Sequence, residues 1–405
     1  MLRPRHFLSM IRGLGPERLW LLGVVAGGHL ALHWYMEIFS VILPSVKTAL
    51  RLNDVEVGIL MTARQITQGG LNLPSGLLAD SVMHYRHLIL TAALVFMGAA
   101  YLLFGISPTF VWLLPAAGLV GLATALWHPA AVASLTSRFP ERRATVLAVH
   151  SMAANISNTV TPLAVGVLLG VFQWRAVLQL QIVPALLVAF LLWLSLRGVF
   201  GTNSSSPTAS KQIREIGKLA RNRVFIGIAV IRGFMRMARL IILTFLPIYL
   251  QEHLGYSTAL MGFYLSLLYG IGIVSQPFVA ILSDRFGRKP VLLPALLILG
   301  SLYLLLWLAA PGVQLGLVIA AVGIFFFTLG NVTTAAVMDI ASTKNPAASF
   351  GLASLVTQLL ALPAPILAGF LIEAYGIGSG FLLAAAFLFL AAVVVAPLRL
   401  HSAGN

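Results

Sequence analysis

The sequence contains no cysteine, which excludes disulfides and thiolate metal sites and removes redox state as a clue to compartment. Charge is scarce as well: 9% of the 405 residues are Asp, Glu, Lys or Arg, against about 25% in soluble globular chains. A deficit that large cannot be spread over a water-facing surface, so lipid must surround most of the protein. Acidic residues are the rarest charged class, 11 against 26 basic ones, for a formal charge of +15. No phosphate-cradling Gly-x-x-x-x-Gly-Lys-[Ser/Thr] loop is present, which argues against ATP drive. No His-Glu-x-x-His motif is present either. The chain is therefore not expected to be an enzyme, and no cofactor or dedicated metal site is expected.

What fills the sequence is apolar: 59% of residues are hydrophobic and the mean hydropathy is +0.96. A spanning helix takes about 20 apolar residues, and the runs here are too long and continuous for the alternation of a membrane barrel. Interruptions by Pro, Gly and charge predict an all-α polytopic membrane protein with twelve transmembrane helices. They are placed at 19–43, 55–79, 88–106, 110–136, 145–171, 174–196, 224–250, 258–283, 290–310, 314–338, 350–373 and 377–398. The first run follows Arg3, Arg5, Arg12 and Arg18. It is about 25 residues long and lacks a small-residue cleavage site, so it reads as an uncleaved span rather than a signal peptide.

With the N-terminal segment 1–18 placed inside, nineteen of the basic residues fall in cytoplasmic segments and three, Lys47, Arg51 and Arg175, fall outside. That asymmetry puts both termini (1–18 and 399–405) and the linker 197–223 in the cytoplasm. It predicts a multi-pass protein of the inner (plasma) membrane of a bacterium. It also accounts for the basic charge with no nucleic-acid partner. The expected partners are the lipid bilayer, a small-molecule substrate and protons, and the protein is expected to be a monomer.

The chain repeats itself about the linker. Pro44 and Pro247, Pro162 and Pro365, and Gly166 and Gly369 are 203 residues apart; Gly58 and Gly262, and Asp80 and Asp284, are 204 apart. The repeat divides the chain into six-helix halves, 19–196 and 224–398. An even number of spans per repeat gives the halves one orientation, related by an axis along the membrane normal.

The sharpest local motif is Ser283-Asp-Arg-Phe-Gly-Arg-Lys289. It resembles the Gly-x-x-x-Asp-Arg-x-Gly-Arg-Arg loop of the major facilitator superfamily, with Ala280 where the family has Gly. The corresponding first-half loop keeps Gly76 and Asp80 but lacks the Arg and Gly that follow the Asp. The resemblance implies two six-helix halves that rock about a central site. It also implies a gating set of Gly76, Asp80, Asp284, Arg285, Gly287, Arg288 and Lys289, whose acid caps a neighbouring helix and whose basic residues pair across the cytoplasmic gate. Leu126-Trp-His-Pro-Ala130, His150-Ser-Met-Ala-Ala-Asn155, Thr161-Pro162 and Thr244-Phe-Leu-Pro-Ile-Tyr-Leu250 are similar to the fosmidomycin-resistance-like exporters of the drug–proton antiporter branch. Ser157 and Thr161 stand where such exporters carry glycines, so import and export both stay open.

An ionisable side chain at mid-bilayer costs about 2.5–3.5 kcal/mol on insertion scales, so its first reading is functional. His29, His33 and Glu37 follow one another at i, i+4 and i+8 and lie within about 80° of a helix face. Glu37, with His29 and His33, reads as a proton-coupling site; Glu37 reads equally as a structural partner of Arg64. Arg232, Arg236 and Arg239 share about 60° of the seventh span, where their guanidinium forks suit phosphate, phosphonate or carboxylate. Arg64, Gln68, His33, Asn158 and His128 complete the candidate substrate-binding set. Tyr35, Trp127 and Tyr269 read as packing.

These residues favour a secondary transporter of a small organic anion, proton-coupled and working by alternating access. A proton-driven exporter of neutral or cationic drugs stays open, as does a divalent-metal carrier using His29, His33 and Glu37.

Overall fold

Backbone polar groups inside lipid must pair within their own segment, so each apolar run has to become a helix. A computed structural model, describing residues 15–81, 83–198, 221–340 and 346–398, has helices at all twelve expected places. They are α1 (Pro16–Leu50), α2 (Asp54–Ser81), α3 (Arg86–Ile106), α4 (Phe110–Arg138), α5 (Arg143–Val171), α6a (Trp174–Leu180) with α6b (Ile182–Leu196), α7 (Arg223–Ile248), α8 (Thr258–Phe286), α9 (Arg288–Leu308), α10a (Val313–Phe326) with α10b (Thr328–Ile340), α11a (Pro346–Ala361) with α11b (Ala364–Tyr375), and α12 (Gly378–Val395). No strand occurs among the described residues. Residues 199–220, most of the expected linker, lie outside the described residues, as do residues 1–14, most of the N-terminal segment, and the tail from 399.

Ten of these helices are long and apolar enough to cross a membrane. The two that miss the criterion are α2 and α7, which carry Arg64 and the Arg232, Arg236, Arg239 stripe. The outer faces of α2 and of other helices of the bundle remain apolar: Leu73, Leu77, Val111, Trp112, Phe190, Val274, Phe278 and Phe370 are all exposed, as a lipid-facing belt requires.

Local chemistry sets the ends. Asn53 and Glu56 cap α2 reciprocally, Asn53 Oδ1 accepting from the Glu56 amide at 2.8 Å and Glu56 Oε2 from the Asn53 amide at 2.9 Å, a capping-box arrangement. Asn222 Oδ1 accepts from the amides of Val224 and Phe225 to start α7. Gly287, at φ +92°, makes the sharp turn from α8 to α9 that a side-chain-bearing residue resists. The first helix runs beyond the expected 19–43 at both ends, through Pro44 to Leu50. It therefore carries Lys47 out to the loop before α2.

The repeat positions turn out to form the contact between the halves. A Cβ on Gly58 (α2) would overlap the carbonyl oxygen of Pro365 (α11b), and one on Gly262 (α8) would overlap that of Pro162 (α5). Gly369 lies in the same way on the backbone of Asp54, and Gly166 on that of Thr258. Each half thus contributes the same Gly and Pro sites to two equivalent crossings, α2 on α11b and α5 on α8. Small residues are what lets helix backbones approach this closely in a membrane. Both crossings lie toward the end that carries Lys47, where the halves are packed together.

Candidate functional site

Glu37 sits midway along α1, half-buried, and accepts a short hydrogen bond from the Tyr269 hydroxyl of α8 in the other half. The Tyr269 ring stacks on Phe327, 5.1 Å between centroids, at the break between α10a and α10b. Phe327 in turn lies under the Arg239 guanidinium, 3.8 Å from its centroid, a cation–π contact of the kind worth about 0.5–2 kcal/mol. The carboxylate, the phenol and the guanidinium are therefore linked through one aromatic pair. The expected Glu37–Arg64 pair is not formed: among the described residues no ion pair joins them. Arg64 is buried, donates to the Met36 carbonyl at 3.3 Å and lies over the Phe39 ring at 5.0 Å. It stays near enough to Glu37 for their charges to interact.

Arg236 reaches across from α7 and donates to Gln65 Oε1 of α2 at 2.8 Å, while its Nε is buried without a hydrogen-bond partner. Gln358 of α11a donates to the Gln65 carbonyl at 3.2 Å, closing a small amide cluster around the guanidinium. Arg232, one turn earlier, donates to Thr334 at 2.7 Å and is held within the second half. The arginine stripe therefore divides: Arg232 engages α10b, Arg236 engages the first half, and Arg239 engages an aromatic face. Gln68 is half-buried and Asn72 exposed on the α2 face below Arg64; it is Gln65, not Gln68, that meets Arg236.

The histidines converge. His29 stacks on His150 at 3.6 Å, meets His33 edge-on at 4.6 Å, and lies 5.4 Å from His128. His33 Nδ1 is 2.8 Å from Asn158 Oδ1, so the expected partners His33, Asn158 and His128 are brought together. Trp127 is fully buried beside His29, as packing requires. Tyr35 donates to the Gln181 carbonyl at 2.9 Å, and its own carbonyl accepts from Tyr101.

The two ends of the bundle differ. At one, Lys47 bridges Asp54 of its own half at 2.9 Å and Glu252 of the other at 2.7 Å. Glu373 of α11b accepts from the Asp54 amide at 2.6 Å. At the other, Arg288 holds Asp339 of α10b at 3.0 Å and Asp284 at 2.5 Å, and Lys289 donates to the Ala396 carbonyl at 2.5 Å. Arg285 is exposed beside Phe286. The pairing of basic loop residues across to the other half, which the family resemblance implies, is not present for Arg288 or Lys289 among the described residues; their contacts close within the second half. In the first half, a Cβ added at Gly76 would meet Pro129 at an ordinary van der Waals distance, and the Asp80 side chain lies outside the described residues. Arg86, not singled out by the sequence, is buried and donates to Ala79, Ala133 and Ser137.

The sequence matches the model of the Major Facilitator Superfamily over residues 25–361 and again over 233–404. It is 29% identical over 170 residues to the multi-drug resistance efflux pump PmrA of Streptococcus pneumoniae, covering 38% of this chain and 39% of that one. It is 30% identical over 178 residues to the puromycin resistance protein pur8 of Streptomyces alboniger, covering 44% and 35%. Against the Na(+), Li(+), K(+)/H(+) antiporter of Planococcus maritimus it is 28% identical over 225 residues, covering 50% and 51%. The chain thus spans between about a third and a half of these relatives' length. In fold it is similar to an inward-facing, unoccupied bacterial homolog of the human lysosomal transporter Spinster, with a TM-score of 0.79 at 18% identity over 95% of this chain and 97% of the other. The nucleoside transporter NupG superposes with a TM-score of 0.74 at 14% identity, covering 94% and 98%.

Proposed function

The chain belongs to the Major Facilitator Superfamily of membrane transporters, and from that premise we propose that it moves a small organic anion, coupled to protons through Glu37, by alternating access. The observation that carries this reading is the charge balance between the halves. Arg64, Arg236 and Arg239 lie close enough for their charges to act on one another, and the one carboxylate among them, Glu37, is hydrogen-bonded to Tyr269 rather than paired with any of them. One carboxylate among three guanidinium groups in low dielectric leaves positive charge uncompensated, which favours an anion that supplies the balance. A phosphate ester, phosphonate or carboxylate has the planar or tripod oxygen edge that two such forks recognise.

Glu37 is the group whose charge state can respond to that anion. From the elements packed around it, Tyr269 (α8), Arg64 (α2), Arg239 (α7) and Tyr101 (α3) are the titratable or charged groups that act on it. Release of the anion leaves the arginines to be neutralised by the carboxylate, and arrival of the anion favours a proton on it. The ion bridges at the Lys47 end support a state closed on that side, taken as the outside from the placement of basic residues. The inward-facing Spinster homolog is compatible with that assignment.

A second reading, export of neutral or cationic drugs, draws support from PmrA and pur8; Glu37 would then meet the cation. Thermal stabilisation of the purified protein by phosphonates, phosphate esters and dicarboxylates, run beside quaternary ammonium compounds, separates the two. Stabilisation by anions alone, lost in Arg236→Gln, supports the anion reading; stabilisation by cations alone, lost in Glu37→Gln, replaces it.

A further inference from the structure

The chain has nine histidines, and four of them meet in one place on three helices of the first half: His29 and His33 on α1, His128 on α4 and His150 on α5. Imidazoles are costly neighbours inside a bundle unless each ring nitrogen finds a partner. One ring nitrogen from each of His29, His33 and His128 lies within 4.8 Å of the other two.

The hydrogen bonds around them fix which nitrogen is available. His29 Nδ1 faces the His150 carbonyl at 2.9 Å, His128 Nδ1 the Thr124 carbonyl at 2.9 Å, and His33 Nδ1 the amide oxygen of Asn158 at 2.8 Å. A carbonyl oxygen can only accept, so all three rings carry their proton on Nδ1 and keep the lone pair on Nε2. Such a hydrogen bond on the far ring nitrogen is what orients metal-ligating histidines and sets their tautomer. His29 Nε2 is moreover buried and makes no hydrogen bond. A buried lone pair is thus left without a donor.

The geometry points to a divalent transition-metal site formed by His29, His33 and His128 within the first half. Three neutral nitrogen donors suit zinc, nickel, cobalt or copper(II); magnesium and calcium require oxygen. Zinc–nitrogen bonds of about 2.0–2.1 Å put two ligand atoms roughly 3.4 Å apart, so the rings need to close by up to roughly 1.4 Å, within the reach of side-chain rotations. Three ligands leave at least one coordination position for water or an anion, and the donor set leaves both metal charges uncompensated. The ligands belong to α1 and α4, and their hydrogen-bonding partners to α4 and α5. No residue of the second half is needed, so rocking of the halves leaves the site assembled. The ion is therefore a bound component of the first half rather than cargo held between the halves. Glu37, one turn beyond His33, is committed to Tyr269 and is not part of the set.

Cobalt(II) titration of full-length protein, purified without a polyhistidine tag, tests this with no substrate present. One cobalt per chain is expected, with d–d absorption of a nitrogen-ligated ion and displacement by zinc. His128→Gln and His33→Gln should each weaken binding by about 100-fold or more, and Asn158→Ala by about 10–100-fold with unchanged stoichiometry. Glu37→Gln should leave affinity unaltered. Metal-free melting temperature and elution volume show which variants remain folded; Asn158→Ala, which keeps all three ligands, carries the test if a His variant does not fold. Wild-type protein that takes up no cobalt overturns the proposal. So does binding that survives in folded His128→Gln, or binding that Glu37→Gln abolishes, which would move the ion to the α1 carboxylate.

Discussion

Tyr269 of the second half donates its phenolic hydrogen bond to Glu37 of the first. The carboxylate on which coupling is proposed to turn is thus held by a neutral donor from across the inter-half boundary, and the three nearby arginines are left to other partners. Tyr269→Phe removes that donor while keeping the ring that stacks on Phe327. A hydrogen bond to a charged group is worth about 1.5–3 kcal/mol, so the balance between Glu37 bound to Tyr269 and Glu37 turned toward an arginine should shift by roughly 10–100-fold. Substrate exchange in proteoliposomes should persist and proton-driven accumulation should fall. Equal loss of both would assign Tyr269 to the fold.

Arg236 and Arg239 have different surroundings and should fail differently. Arg236→Gln leaves Gln65 and Gln358 to bond each other, so a folded protein with little anion affinity is expected. Arg236→Lys should bind with intermediate affinity, because an ammonium restores charge without the bidentate fork. Arg239→Gln also forfeits the contact with Phe327, and its melting temperature should drop along with binding. Equilibrium binding and melting on the three variants check this. Normal anion binding by Arg236→Gln would remove the anion reading.

The crossings of α2 on α11b and α5 on α8 leave no room for a side chain. Gly58→Val or Gly262→Val should hold the Lys47 end apart, since overpacking at a tight contact costs about 1–3 kcal/mol. The chain is free of cysteine, so a single cysteine at Thr48 gives an uncomplicated accessibility probe. Its labelling should rise severalfold in either Val variant. Unchanged labelling with unchanged transport would show that the halves do not need this approach.

The ion bridges at the same end form a second clamp. Lys47→Gln leaves Asp54 and Glu252 as adjacent unpaired carboxylates, and the Thr48 probe should again become more reactive. Lys47→Gln combined with Glu252→Gln should recover part of the closure. The Lys47, Asp54 and Glu252 side chains are only 12%, 14% and 25% exposed, so the bridge should be worth more than the about 0–1 kcal/mol of a fully exposed pair; the glycine contacts, repeated at both crossings, should still matter more. A larger effect from Lys47→Gln than from Gly58→Val would reverse that order.

The helices and the two halves were legible because apolar run length and the Gly and Pro repeat are one-dimensional signals. What the repeat was for was not: Gly58 and Gly262 read as loop or bend markers, and only the folded chain puts each against a proline carbonyl of the other half. Glu37 and the arginines stood out because charge in an apolar run is conspicuous. Tyr269, Gln65 and Phe327 did not, since an aromatic or an amide in such a run looks like packing. The histidines were visible singly. That His29, His33, His128 and His150 meet was not visible, because the relative depth of neighbouring helices is set by tertiary packing and not by the sequence of either one.

The first-half loop after Asp80 looks degraded beside Ser283–Lys289, yet its arginine is in place. Arg86 and Arg288 are 202 residues apart, and so are Ser137 and Asp339, the residues they meet on α4 and α10b. Arg86 also holds the Ala79 carbonyl at 2.8 Å, where Arg288 holds Ser283 at 3.1 Å. Both arginines therefore tie the end of one helix to the helix two places on. Arg86→Ala and Arg288→Ala should thus both slow turnover with little change in substrate affinity, because each site is remote from the inter-half arginines. The equivalent placement of the two arginines predicts defects of similar size. Turnover and substrate affinity in proteoliposomes measure this, and an Arg86→Ala protein with wild-type turnover would mean that the first-half loop has lost its gating role.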